Sequence, residues 1–366
     1  MSTHEPPLKG IVVADFTTLL PGPVATLMLA EAGAEVVKVE KPGGEDMRAY
    51  PPQWDGISAA FAMLNRGKES LVVDLRTDEG RAAARELAAR ADILVEQFRP
   101  GVMQKHGLGY EELSKLNPKL IYCSITGYGQ SGPKRNEAGH DLNYISSTGL
   151  LSLAPGPLEN PVVPPALIAD IGGGSFPAVT NILLALLARG KTGKGAYIDI
   201  AMSDAMFTFT WMALATLHAT GKAAGSASLS TTGGSPRYQL YPTSDGKLAA
   251  CGALEQKFWT AFCAVIELPA EFANDFKNPA ATKQAVRERI AAQPAEYWRP
   301  KFANANCCVT IMATIEEALA DEHFVKRGLF SEQVASAAGD KTIPALPVPI
   351  APQFRVQGAR SYPRIK

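Results

Sequence analysis

The sequence lacks a net charge, a cysteine framework and a long uninterrupted apolar run. Lys plus Arg total 36 and Asp plus Glu total 36. No bulk field therefore draws the chain to nucleic acid or to an anionic membrane, and an anionic ligand has to be met by a local cluster of cations. The five cysteines, Cys123, Cys251, Cys263, Cys307 and Cys308, are odd in number and scattered. They have neither the paired spacing of a zinc site nor the density of a disulfide scaffold, and they read as reduced thiols acting as small buried hydrophobes. Met1–Lys9 carries Pro6 and Pro7 without a signal-like apolar core, and no stretch approaches ~18 uninterrupted apolar residues. The expectations are a cytoplasmic protein with no membrane and no nucleic-acid partner. The first apolar strand also lacks a Gly-x-Gly-x-x-Gly turn, carrying Thr17-Thr18-Leu19-Leu20-Pro21-Gly22-Pro23 instead, which removes the main support for a nicotinamide or flavin dinucleotide.

What is present is an ordinary globular composition, 46% hydrophobic and 20% charged over 366 residues, long enough for two domains. Apolar β-branched runs alternate with helical patterns: Gly10–Phe16, Val24–Ala32, Glu35–Glu40, Ser70–Leu75, Glu79–Ala89, Asp92–Phe98 and Leu120–Thr126. That alternation predicts a parallel α/β sheet. Phe176–Leu187 reads as a helix with Gly190 at its C-cap. A further helix is read near Ser203–Ala219, Gly221–Pro236 has a linker's composition, and Tyr238–Thr243 with Lys247–Gly252 reads as a hairpin. Beyond Glu255 helices dominate, and the Pro-rich tail Pro344–Pro363 is expected to run extended. The expected architecture is α/β: a Rossmann-like large domain over residues 1–200, completed by 326–366, a smaller α+β domain over 226–325, and a linker at 201–225.

Three stretches combine ionisable groups with glycine: Ala138-Gly139-His140-Asp141-Leu142-Asn143-Tyr144, Ala169-Asp170-Ile171-Gly172-Gly173-Gly174, and Cys251-Gly252-Ala253-Leu254-Glu255. Each has a plain alternative. His140 and Asp141 also suit a helix start, Asp170 a helix cap, and Glu255 a first-turn carboxylate. The glycines weigh against the plain reading of Asp170, because each costs a helix ~1 kcal/mol relative to Ala. Something is expected to approach that backbone closely, and a bare helix start offers N–H groups to an oxyanion.

With these motifs the chain resembles CoA-transferase family III, the CaiB/BaiF group, and within it the α-methylacyl-CoA racemase branch. The resemblance runs through Leu8-Lys9-Gly10, Leu19–Pro23, Val36–Pro42, Leu64-Asn65-Arg66-Gly67-Lys68, Phe98-Arg99-Pro100-Gly101, Thr126–Gly132 and Thr192–Gly195. It implies an acyl-CoA substrate, an interlocked homodimer, and no cofactor beyond the CoA of the substrate itself. Transferases of the family use an aspartate nucleophile at the position of Asp170. The racemase branch adds a histidine and a glutamate in motifs matched here by His140 and Glu255. On that resemblance His140 and Asp170 are the acid–base pair that inverts the α-carbon of a 2-methylacyl-CoA through an enolate. Glu255 supports the far nitrogen of His140, and backbone N–H groups of Asp170, Ile171 and Gly172 hold the enolate oxygen. The Asp170 carboxyl is expected to have a raised pKa through burial. CoA contacts are implied for Lys41, Asn65, Arg66, Lys68, Gln97, Phe98, Arg99, Lys105, Gly139, Asp141, Asn143 and Tyr144. Lys41 and Lys105 stand where that branch carries arginine, so a point charge replaces a bidentate fork. Met28, Met202, Met206 and Met212 read as core packing. The rival reaction is CoA transfer to a free carboxylate through an aspartyl-CoA intermediate at Asp170, and a non-catalytic acyl-CoA-binding dimer is the remaining alternative.

Overall fold

The computed structural model describes residues 5–365, so the first four residues of the Met1–Lys9 segment lie outside the described residues. The chain divides into two compact units. One unit combines the chain up to Thr148 with Pro164–Phe209 and everything from Glu322 onward; the other holds Gly149–Val163 and Thr210–Asp321.

The first unit is built on six parallel strands: β1 (Val12–Phe16), β2 (Glu35–Glu40), β3 (Glu69–Val72), β4 (Ile93–Glu96), β5 (Ile121–Thr126) and β6 (Ala196–Ala201). Their spatial order is 3-2-1-4-5-6. Every residue of β4 and β5 is buried, which is why both read as continuous apolar runs rather than alternating ones. Strand order reverses between β1 and β4, and in an open parallel sheet the crevice beyond the carboxyl ends at that reversal is where ligands bind. Thr17–Leu20 and Gln97–Pro100 leave the sheet there.

Helix α1 (Pro21–Glu31) is buried along its whole length, and α2 (Asp141–Ser147) follows the glycine-containing Ala138–His140 turn. Ala169–Ser175 winds as a π-helix that runs directly into α3 (Phe176–Thr192). The Asp170 glycines are explained by packing. A Cβ on Gly173 would lie 2.5 Å from the Met202 carbonyl oxygen, and one on Gly174 would lie 3.1 Å from both Met202 Cγ and Pro21 Cβ. The backbone approached closely is thus met by α4 (Met202–Phe209) and the start of α1, rather than by a ligand.

Helix α3 passes straight through Gly190 and is capped instead by Gly193, whose φ of 70° is the left-handed cap conformation. Ala169–Thr192 is long and apolar enough to match a membrane span by length and composition, a feature hidden from the sequence reading by its interspersed polar residues. In this structure Ala178, Val179 and Ile182 are buried, and Arg189 pairs with Asp92 at 2.9 Å. The expected linker at 201–225 is also corrected. Met202–Phe209 and α5 (Trp211–Thr220) are helical, and the division between units falls at Phe209. The helical reading near Ser203–Ala219 agrees with these two helices; it is the position of the division that composition does not reveal.

The tail closes the first unit. Arg360 pairs with Glu31, Gly67 N–H donates to Ser361 O at 2.8 Å, and Val356 N–H to Glu31 O at 2.8 Å. The second unit carries the antiparallel sheet β7 (Tyr238–Pro242), β8 (Leu248–Gly252) and β9 (Val309–Ile311), with β8 central. Its core is aromatic: Trp259, Phe262, Trp298 and Phe302 are buried together, and Trp298 stacks on Phe302 at 5.4 Å.

Candidate active site

A cleft of about 480 Å³ opens at the reversal point and is walled by residues from several separate segments, among them Leu19 and Pro21, Gln97–Pro100, Ile125–Tyr128, the group Gly139, His140, Asn143 and Tyr144, then Asp170, and Met202. The β1–α1 turn is held firmly on its side. Asp15 Oδ1 accepts both the N–H (3.0 Å) and the hydroxyl (2.5 Å) of Thr17. Gln97 Nε2 donates to Thr18 O at 2.9 Å while its Oε1 accepts Gly22 N–H at 3.0 Å. These bonds keep Leu19 at a φ of 61°, a left-handed conformation costly for a branched side chain.

Asp141 organises the opposite wall. Its buried Oδ1 accepts the N–H groups of Ala169 (2.6 Å) and Asp170 (3.0 Å), tying the start of α2 to the start of the π-helix. His140 is extended at the N-cap of α2, with its own N–H donated to Asn143 Oδ1 at 3.0 Å, so the ring is left exposed in the cleft. Tyr144 donates to Gly139 O at 2.5 Å and meets Tyr128 edge-on at 5.2 Å. Gly127 is required there, since a Cβ would lie 2.4 Å from the Tyr144 ring. Burial pushes the Tyr144 phenol up to about 12, so it remains a neutral donor.

Burial raises the Asp170 carboxyl to about 6 from 3.8; the nearby Asp141 charge adds to the rise and His140 opposes it. A carboxyl poised there both accepts and returns a proton near neutrality. Next to the cleft, and sharing Leu19 and Phe98 with it, a groove of about 520 Å³ lies over the ends of β1, β2 and β3, lined by Lys41, Arg76 and His106 and also by Glu40, Glu45, Asp46 and Asp74, with Lys41 paired to Asp46 at 2.5 Å and Arg76 to Asp74 at 2.7 Å.

The cleft brings together Gln97, Phe98, Arg99, Gly139, His140, Asn143, Tyr144 and Asp170 of the expected residues, and the groove holds Lys41. Asn65, Arg66 and Lys68 are buried and occupied elsewhere. Asn65 Nδ2 donates to Phe61 O at 3.1 Å, and Arg66 bonds Glu31 Oε1 at 2.9 Å and Leu346 O at 2.8 Å. Lys68 Nζ meets Asp15, Pro23 O, Thr26 and Asn65, all within 3.1 Å. No donor of Lys68 is left for a phosphate, and burial lowers its ammonium to about 8. The Asn-Arg-Gly-Lys motif therefore braces α1 and the β1 turn from inside.

Lys105 is exposed on the short helix Val102–Lys105, lining neither cavity. Asp141 stands behind the cleft wall rather than on it. The expected oxyanion donors are corrected as well. Two of the three are occupied: Asp170 N–H is taken by Asp141 and Ile171 N–H by Leu167 O at 3.1 Å. Glu255 belongs to the second unit, exposed at the N-cap of α6 (Gln256–Val265). Arg135 and Glu137 line the cleft without having been singled out, because a loop between Gly132 and Gly139 has no periodicity to flag it.

The family model of CoA-transferase family III matches residues 8–364. The chain belongs to CoA-transferase family III. Within that family it is 35% identical over 357 residues to the α-methylacyl-CoA racemase of Homo sapiens, covering 95% of this chain and 89% of that protein. It is 36% identical over 323 residues to the acetyl-CoA:oxalate CoA-transferase of Acetobacter aceti, covering 85% and 82% respectively. The solved structure of a CaiB/BaiF family protein from Brucella suis superimposes with a TM-score of 0.83 at 31% identity, over 99% of this chain and 97% of that one. The family III fold and its acyl-CoA chemistry thus apply to this enzyme, with racemase and transferase relatives at similar identity.

Proposed function

We propose that this family III enzyme inverts the α-carbon of a 2-methylacyl-CoA thioester by proton transfer through an enolate. The observation that carries the reading is the placement of His140 and Asp170 on the walls of one cleft, with Asp170 raised to about 6. Inversion needs a base on one face of the carbon and an acid on the other. In one direction the Asp170 carboxylate takes the α-proton and the C–H electron pair moves into the enolate; the imidazolium of His140 then returns a proton to the opposite face. In the other direction the roles exchange. The enolate oxygen needs a preformed donor. With the Asp170 and Ile171 amides taken, the Nδ2 group of Asn143, whose Oδ1 is fixed by His140 N–H, is the cleft donor assigned to it.

The CoA nucleotide is assigned to the groove of Lys41, Arg76 and His106, and the pantetheine arm to the Leu19–Phe98 passage between the cavities. Phe176, Leu183, Leu184 and Leu187 leave an exposed apolar face on α3, which fits a second copy of the chain and the interlocked homodimer implied by the family. Within that proposal Glu255 supports His140. The second reading is CoA transfer, with ionised Asp170 attacking the thioester carbonyl; the similar identity to the oxalate transferase favours keeping it. The test is proton NMR of the enzyme with 2-methylbutanoyl-CoA in deuterated water without any acid acceptor. Loss of the α-proton signal and collapse of the methyl doublet are expected; no exchange overturns racemisation in favour of transfer.

A further inference from the structure

Two buried acids stand near the carboxyl ends of β1 and β4, and they are held in opposite ways. Asp15 is met by the Lys68 ammonium at 3.1 Å and by the hydroxyls of Thr17 and Thr26 at 2.5 and 2.7 Å. Burial pushes its carboxyl up, but the charges of Lys68 and Lys38 and these two hydroxyls outweigh the burial and keep it below its usual value. Glu96 is only 4% exposed, and among the described residues no cation pairs with it. Its partners are neutral donors: Oε2 accepts the N–H of Phe98 at 2.8 Å, and the Ser124 hydroxyl bonds the same carboxyl. Burial raises that carboxyl to about 7; the two hydrogen bonds oppose the rise and the charge of Asp199 adds to it. A buried ion without a counter-charge costs stability. A plain brace has no need of one, since the oxygen of a glutamine accepts the same N–H.

Strand register creates this setting. Phe16, Glu96, Ser124 and Asp199 are successive partners across β1, β4, β5 and β6, so their side chains share one face of the sheet. Beside that row stand Tyr122 and Cys123 of β5 and Tyr197 of β6, all three with ionisation opposed by burial and by the Glu96 charge. The helix Tyr110–Leu116 adds Tyr110, stacked on Tyr197 at 5.2 Å, and Glu112, whose charge acts on Tyr122. The titratable groups around Glu96 are thus carboxyls, phenols and a thiol. The backbone that Glu96 holds belongs to the cleft, where Gln97, Phe98, Arg99 and Pro100 form one wall. Gln97 is tied to the β1–α1 turn through Thr18 O and Gly22 N–H, whereas Phe98 N–H is tied to Glu96.

We propose that Glu96 is a positioning residue of the active site, whose carboxylate tightens the Phe98–Arg99 wall and whose protonation slackens it. The inference rests on the cleft being the thioester site, and not on which reaction follows there. A hydrogen bond to an ionised acceptor is roughly twice as strong as one to a neutral acceptor, so the loss of one proton from Glu96 is felt two residues along the chain. Thioester binding therefore gains strength as pH rises through the titration of this carboxyl.

The test is calorimetric binding of 2-methylpropanoyl-CoA, whose α-carbon is not a stereocentre, to the intact wild type and to Glu96→Gln, which keeps an acceptor oxygen and cannot ionise. Asp170, His140 and the phosphates of the thioester titrate in both proteins, so the ratio of the two dissociation constants isolates Glu96. The wild type is expected to bind about fivefold more tightly near pH 8.5, and within about twofold near pH 5.5, where Glu96 is protonated. A ratio that stays constant with pH overturns the proposal and leaves Glu96 a brace; a ratio near one throughout overturns it as well. Should Glu96→Gln fail to fold, Ser124→Ala carries the test. It removes a hydrogen bond that holds the Glu96 carboxyl down, so the rise in affinity should move to higher pH, and an unmoved rise overturns the proposal. Because the readout is affinity, it stands apart from the α-proton exchange that tests racemisation. Absent exchange with this pH dependence intact would sink the racemase reading alone.

Discussion

Replacing Asp170 by asparagine is expected to remove the proposed chemistry and at the same time to stabilise the fold. The carboxyl has an ordinary value of 3.8 in the unfolded chain and about 6 in the native protein, so above about 6 the folded state carries a charge in surroundings that disfavour it. The difference corresponds to about 3 kcal/mol, which we halve to about 1.5 kcal/mol for the side chain's partial contact with solvent. The sign follows from proton binding. Between 3.8 and about 6 the native state holds more protons than the unfolded one, so wild-type stability falls as pH rises through that window. Asparagine does not titrate and escapes the loss. The variant's advantage is therefore complete near pH 8, roughly halved near pH 5, and gone once both states of the wild type are protonated. Thermal melts of both proteins across this range should show the variant a few degrees higher at the alkaline end, about 2–3 °C. A gap that stays constant with pH, or that favours the wild type at pH 8, would refute burial as the cause of the raised carboxyl.

His140→Ala and Asp170→Ala should each abolish α-proton exchange in the NMR assay, whereas Glu255→Gln should only slow it. Asp141→Asn removes the charge that helps to raise Asp170 while keeping an oxygen for the two amides, so the acid limb of the kcat/KM profile should move to lower pH. Gly173→Ala sets a Cβ 2.5 Å from the Met202 carbonyl and should lower stability by about 1–3 kcal/mol in urea titrations. Lys68→Met removes the ammonium that pairs with buried Asp15, leaving it to the more distant charge of Lys38 and the hydrogen bonds of Thr17 and Thr26. It should destabilise the protein by about 3–5 kcal/mol, a loss visible in the absence of any CoA compound.

The parallel sheet was legible because its strands are short β-branched runs separated by helical spacing, and the cleft residues were legible because glycine and ionisable groups coincide at Gly139-His140 and Asp170. Motifs alone do not reveal where a side chain points. Asn-Arg-Gly-Lys reads equally well as a phosphate cradle and as a brace, and only the burial of Asp15 beneath Lys68 decides between them. The glycines after Asp170 signalled a close approach correctly, yet the approaching group is Met202, thirty or so positions further along the chain, and no local pattern encodes that meeting. The helix near Ser203–Ala219 was legible from its own residues, whereas the division between units at Phe209 was not, since it is specified by packing.

The wide turn that carries Asp170 also has a meaning for inheritance. A π-helix within a longer helix holds one residue more than the regular winding allows, so the direction of the Asp170 side chain depends on a count rather than on any one neighbour. Each residue of an α-helix advances the winding by about 100°. Deleting a single position between Ile171 and Ser175 would let the segment relax into regular winding and swing the carboxyl away from His140, with every side chain still chemically intact. Descendants of this gene can therefore exchange residues around the turn with some freedom, but they cannot shorten it by one and keep Asp170 and His140 on the walls of one cleft.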